Sequence, residues 1–135
     1  MGVLMRYYLS RTVSTGFDDT VRHVVAALQV EGFGLLTDID VRATLQKKLG
    51  VEFRNYRILG ACNPPLALKA LEAESKIGVM LPCNVIIQEH AGGKVEVAAI
   101  DPTVAMQSVG NPGLGKIAAD VRDRLARVVA AIPAG

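Results

Sequence analysis

The sequence predicts an α+β fold, a two-layer sandwich whose mostly antiparallel sheet of four or five strands carries its helices on one face. Three observations support this. β-rich runs and helix-periodic segments follow the order β-α-β-(α)-β-α-β-β-α, without the strict alternation of a parallel α/β chain. The last two β-rich runs are separated only by His90-Ala91-Gly92-Gly93, a permissive glycine turn, so they form an antiparallel hairpin. The chain closes on a long amphipathic segment whose apolar stripe requires a facing layer. At 135 residues, positions 1–135 fit one domain, a size that buries a proper core without staples.

Leu4 to Val13 is rich in Tyr, Leu, Thr and Val and reads as the first strand. Thr15-Gly16-Phe17-Asp18 has the Thr-x-x-Asp form of a capping box. Phe17, Val21, Val24, Val25 and Leu28 then recur at helical spacing until Gly32 stops the helix. Phe33 to Thr37 is a short apolar run, a second strand. Asp38 or Asp40 caps a short helix with contacts Val41, Leu45 and Leu49, ended by Gly50. Phe53 to Ala61 is the third strand. Asn63-Pro64 combines an N-cap residue with proline at the first helical position, and Leu66, Ala67, Ala70 and Leu71 form the inner face of that helix, which Gly78 ends.

Cys83 to Glu89 and Lys94 to Ile100 are the hairpin strands, and Asp101-Pro102 closes the second, since proline cannot extend a ladder. Asn111-Pro112 repeats the cap-and-proline start. Leu114, Ile117, Ala118, Val121, Leu125, Val128, Val129 and Ile132 make the stripe of the last helix. On its other side Lys116–Asp120, Asp120–Arg124 and Asp123–Arg127 are i,i+4 pairs of opposite charge.

Composition narrows the function classes. Half the residues are apolar, 21% are charged and the net charge is +2. With three Tyr, three Phe and no Trp, and with scattered lysines and arginines, there is no basic stripe with stacking platforms, so a nucleic-acid role is not expected. No run approaches the roughly 18 apolar residues of a membrane span. The start lacks the apolar core of a signal peptide, and Arg6 stands where N-myristoylation wants Ser or Thr. The expectation is a cytoplasmic protein with no membrane partner, whose two cysteines are free rather than bridged.

Those cysteines form matching segments, Ala61-Cys62-Asn63-Pro64 and Leu81-Pro82-Cys83-Asn84. Cys62 precedes the residue that caps a helix, near the positive end of the helix dipole, which favours thiolate over thiol. It also reads as a small hydrophobe packed at a strand end, the commoner place for a free cysteine. Whether Cys83 meets it depends on topology. Parallel strands joined by a helix would hold the thiols about 15–20 Å apart at opposite sheet ends; an obliquely crossing helix or an antiparallel arrangement could bring them together, and the sequence does not choose between these. Asn63 and Asn84 are structural caps whose amides also suit a polar ligand.

Metal binding has less support. No Cys-x2-4-Cys pair exists, His23 sits on the first helix, and His90 sits at the hairpin tip, so no metal ligands are assigned. The Gly110-x-x-Gly113-x-Gly115 cluster lacks the order of a phosphate loop and reads as a lead-in to the last helix.

Together Tyr56-Arg57-Ile58-Leu59-Gly60-Ala61-Cys62-Asn63-Pro64, Ile77-Gly78-Val79-Met80-Leu81-Pro82-Cys83-Asn84-Val85, and Asp101-Pro102 with Met106 resemble the domain-of-unknown-function family 302. The likeness also takes in Gly32-Phe33-Gly34 and the closing helix. It implies a small α+β domain similar in layout to β-α-β4-α folds with inserted helices, assembled as a homodimer, and it implies no activity. Leu59 to Pro64, Leu81 to Asn84 and Asp101-Pro102 carry over as a shared patch.

The expected function is binding of a small ligand near the two Cys-Asn segments, by a homodimer that pairs an edge strand. The ligand-binding candidates are Tyr56, Cys62, Asn63, Pro64, Pro82, Cys83, Asn84 and Asp101, with Met106 beside them. A thiol-dependent redox or metal-handling protein using Cys62 and Cys83 is the alternative, and a structural or subunit-interaction domain with inert cysteines is the third reading. The residues name no cofactor and no catalytic set.

Overall fold

The computed structural model describes residues 6–135. Five strands, β1 (Tyr8–Val13), β2 (Gly34–Asp40), β3 (Tyr56–Cys62), β4 (Cys83–Glu89) and β5 (Val95–Ile100), form one sheet in the order β1-β5-β4-β3-β2. Every neighbouring pair is antiparallel. The helices are α1 (Phe17–Val30), α2 (Val41–Leu49), α3 (Pro64–Ala73), the single turn α4 (Pro102–Ala105) and α5 (Gly115–Ala131). Helices α1 and α5 pack on one sheet face, as the α+β two-layer reading requires. Among the described residues no helix is long and apolar enough to cross a membrane.

Strand alternation decides which side chains meet the helices. On β4 and β5, Val85, Ile87, Val95, Val97 and Ala99 are fully buried, and Leu59 joins them from β3. Val24 and Leu28 of α1 and Leu125 and Val128 of α5 close over this surface, all at most 1% exposed. Each such aliphatic side chain removed from water contributes about 1.5–3 kcal/mol. Ile77, Ala70 and Leu114 form a second buried cluster beside α3.

The local signals place most elements and misplace some ends. Asp40 caps α2, its Oδ1 accepting from Ala43 N at 2.9 Å. The first strand begins at Tyr8, and the expected start at Leu4 lies outside the described residues. Helix α1 has Gly16 at its cap, so the Thr15–Asp18 box does not form; Thr20 Oγ1 instead donates to Gly16 O at 2.9 Å. Strand β2 runs on to Asp40, past the expected Thr37, because β3 supplies a full partner. Helix α3 ends at Ala73 rather than Gly78, which lies in a 3-10 turn at Ile77–Met80.

Asn111 opens a 3-10 turn, Pro112–Leu114, and not α5 itself. Its Oδ1 accepts from Gly113 N at 2.8 Å while its Nδ2 donates to Ala73 O at 2.9 Å, tying the end of α3 to the start of α5. Of the expected charge pairs on α5, Arg124 meets Asp120 at 2.9 Å, whereas Arg127 reaches Glu31, the residue that ends α1, at 2.9 Å.

Candidate functional site

The two cysteines sit on adjacent antiparallel strands, although a helix and a 3-10 turn connect those strands. Cys83 opens β4 opposite Ala61, the residue before Cys62 at the end of β3. The strand spacing there is about 4.8 Å, so the wide separation expected of a parallel crossover does not arise. Both thiols are free and half-buried, and both line one cavity.

That cavity of about 300 Å³ is wedged between α3, α5 and the sheet end. Ala67, Ala70, Ala118 and Val121 come from the two helices, and Leu66, Phe33 and Met106 complete an almost wholly apolar wall. The space follows from the sequence. Alanine at 67, 70 and 118 is short just where α3 and α5 face each other, so the helices leave a gap that larger residues would fill. Pro82 and Cys83 bound it on the strand side, and Asn63 supplies the amide at its edge.

Asn63 does two jobs. Its Oδ1 accepts from Leu66 N at 3.3 Å, which caps α3 as expected from Asn63-Pro64. Its Nδ2 points to Glu31 O at 3.5 Å, a carbonyl that Arg124 Nη1 also reaches at 3.1 Å. The amide is thus held by α1 and α3 at once, with 8% exposure. Burial pushes the Cys83 thiol up to about 11, and the charge of Cys62 beside it acts in the same direction. Cys83 is therefore a protonated thiol at neutral pH.

Four of the eight candidate residues line this cavity: Cys62, Asn63, Pro82 and Cys83. Met106, set beside the candidates, lines it as well. Pro64 occupies the first turn of α3 and is exposed. Asn84 and Tyr56 belong to the sheet face opposite α1 and α5, together with Ile86, Gln88 and Ile100. Asn84 must differ from Cys83 in this way because successive strand residues point to opposite faces.

Asp101 is elsewhere and has structural partners. It caps α4, accepting from Thr103 N at 3.0 Å and Thr103 Oγ1 at 2.6 Å, and it takes Arg122 Nε at 3.0 Å. Burial raises its proton affinity, but the bonds from Thr103 and Arg122 outweigh this and hold the carboxyl below its ordinary range.

The helix-borne part of the wall escaped notice in the sequence as a site. Its signal was the run of alanines on the inner face of α3, opposite Ala118 of α5, where a packed interface ordinarily carries larger side chains. His90 Nε2 lies 2.9 Å from Glu96 Oε1 across the hairpin. Among the described residues no group of three or more His, Cys, Asp or Glu side chains is placed to hold a metal ion.

The family model for the domain of unknown function DUF302 matches residues 9–132. The crystal structure of an uncharacterized conserved protein DUF302 from Bacillus stearothermophilus superposes with a TM-score of 0.89 at 31% identity, covering 96% of this chain and 100% of that one. No curated protein matches the chain.

Proposed function

The chain belongs to the DUF302 family, and on that premise we propose that it is a ligand-binding module, one domain over residues 1–135, whose apolar cavity takes a small, mostly apolar molecule beside Cys62, Asn63, Pro82 and Cys83. One observation carries this reading: a cavity of about 300 Å³ with apolar walls and a single edge of amide and thiol groups. Such a combination of apolar bulk with a few polar groups at one point is typical of small-molecule sites. An apolar cavity of about 150 Å³ accepts benzene, so a bicyclic aromatic or short branched chain suits this one.

Indole is a suitable probe, followed by amide and methyl chemical shifts. It should perturb Ala67, Ala70 and Ala118 saturably, and Ala67→Phe, which fills the rim, should abolish that response without loss of the fold. Equal indole binding in Ala67→Phe and in the parent protein would defeat the assignment to this cavity.

The meeting of Cys62 and Cys83 in one cavity favours a second reading, a thiol-dependent redox or metal-handling site. Under it Cys62 alkylates faster than a model thiol at neutral pH and Cys62→Ser removes the function. Thiols that stay unmodified until the protein unfolds would instead leave them as packing groups. A cytoplasmic setting, which keeps thiols reduced, suits either reading.

Self-association belongs to the same proposal. Strand β2 is a sheet edge exposed along its whole length, with Leu35, Leu36 and Ile39 open to water, and Leu36 also lines the cavity. A homodimer joined edge to edge there would cover these side chains. Sedimentation should give a dimer that Ile39→Lys dissociates; a monomer at all concentrations removes this part.

A further inference from the structure

On β1 an arginine stands where alternation calls for an apolar residue. Leu9, Arg11 and Val13 share the strand face that turns toward the helices, and Val13 is 2% exposed. Arg11 Nε is buried and has no hydrogen-bond partner among the described residues. Leaving a buried polar donor unpaired costs about 1–3 kcal/mol. A local rule broken on a strand that otherwise obeys it is where a functional constraint is expected.

The surroundings of Arg11 are cationic. A groove of about 640 Å³ runs between edge strand β1, α4 and the flank of α5 that faces β1. Arg6, Arg11 and Arg122 line it against one carboxylate, Asp101, so positive charge is in excess. Asp101 is 6% exposed and, besides its bonds from Thr103, accepts from Arg122 through Nε alone, one of the five donors of that guanidinium. Arg122 is thereby oriented and still has donors to offer. Leu9, Val104 and Val129 add apolar surface beside the charges.

We propose that this groove is a second binding site, separate from the cysteine cavity, for a small oxyanion, a carboxylate or a phosphate, gripped by Arg11 and Arg122. Planar guanidinium groups match both anions bidentately. The apolar surface next to them favours a carboxylate on a short aliphatic body over a bare inorganic ion.

The test is a titration of the full chain at constant ionic strength, reading the arginine Nε–Hε resonances. Sodium hexanoate and inorganic phosphate are the probes and sodium chloride the control. Hexanoate should shift Arg11 and Arg122 saturably, with Arg11→Leu weakening it at least tenfold and Arg11→Lys less. Saturation by phosphate without hexanoate supports the oxyanion site and assigns it to a phosphoryl group.

Arg11→Gln, which keeps a polar side chain, guards against misfolding of Arg11→Leu and should weaken binding similarly. Shifts no larger than those from chloride, or shifts unchanged in both Arg11 variants, overturn the proposal. So does the lack of saturation by about 20 mM, an affinity below the millimolar range. Indole binding in the cysteine cavity is unaffected by any of these outcomes, so the two proposals fail separately.

Discussion

Gly60→Ala is expected to destabilise the protein and to disturb the cysteine cavity, because the space beside Gly60 is already taken. Gly60 pairs with Thr37 on one side and Asn84 on the other, in the middle of the β2-β3-β4 ladder. A methyl group there would lie 2.8 Å from Pro82 Cγ and closer still to Thr37 Oγ1. Carbon atoms in contact sit about 3.5–4.0 Å apart, so the proline ring or the strand must move by roughly an ångström. Thr37 can change rotamer, but Pro82 is fixed within its ring and borders the cavity.

Overpacking of this kind costs about 1–3 kcal/mol. For a chain of this size that corresponds to a fall in melting temperature of roughly 4–12 °C. Urea denaturation of Gly60→Ala, Thr37→Ala and the double variant measures it. Thr37→Ala should recover part of the loss, with a coupling of at least about 0.5 kcal/mol. The remainder belongs to Pro82 and should show as weakened indole binding. A Gly60→Ala protein within about 0.5 kcal/mol of the parent, the error of such comparisons, would refute the packing argument.

Other outcomes are as specific. Asn63→Ala should cost about 1 kcal/mol, the loss of an N-cap, and amide exchange should quicken first at Leu66. The carboxyls of Asp38, bonded by Arg57, and of Asp101, bonded by Thr103 and Arg122, are both held low. Their stabilisation is present above the unfolded carboxylate value of about 3.9 and disappears as pH falls through the lower folded values. Denaturation in acid should therefore steepen below about pH 4, and Asp101→Asn should flatten that limb; an unchanged limb would count against the Asp101 contacts. Cys83, with its thiol pushed up to about 11, should alkylate slowly at neutral pH and accelerate into the alkaline range. Rapid modification of Cys83 at neutral pH would contradict its burial.

The local chemistry of particular residues made much of the fold legible. Asn63-Pro64 announced a cap and a first turn, and both are where they were expected. The glycines of the β4–β5 turn, Gly92 and Gly93, take positive φ angles of 90° and 87°, which the hairpin reading anticipated. Alternation along Cys83 to Glu89 even contained the fact that Asn84 faces away from Cys83. The site was less legible because its walls come from distant segments. Ala67 and Ala118 acquire meaning only when α3 and α5 lie side by side. Asp101 looked like part of the cysteine patch, yet Arg122 draws it toward the β1 edge, and nothing in the spacing of 101 and 122 announces that pair.

Period, caps and turns act over a few residues, so the chain alone determined which segments become strands or helices, their order, and the family likeness in its two Cys-Asn segments. Tertiary structure decided that β3 and β4 run antiparallel despite the helix between them, and with that whether two sulfurs share a cavity or stand at opposite ends of a sheet. Strand direction and register come from pairing between segments far apart in sequence. Burial of the facing aliphatic side chains selects that pairing, and no local propensity encodes it.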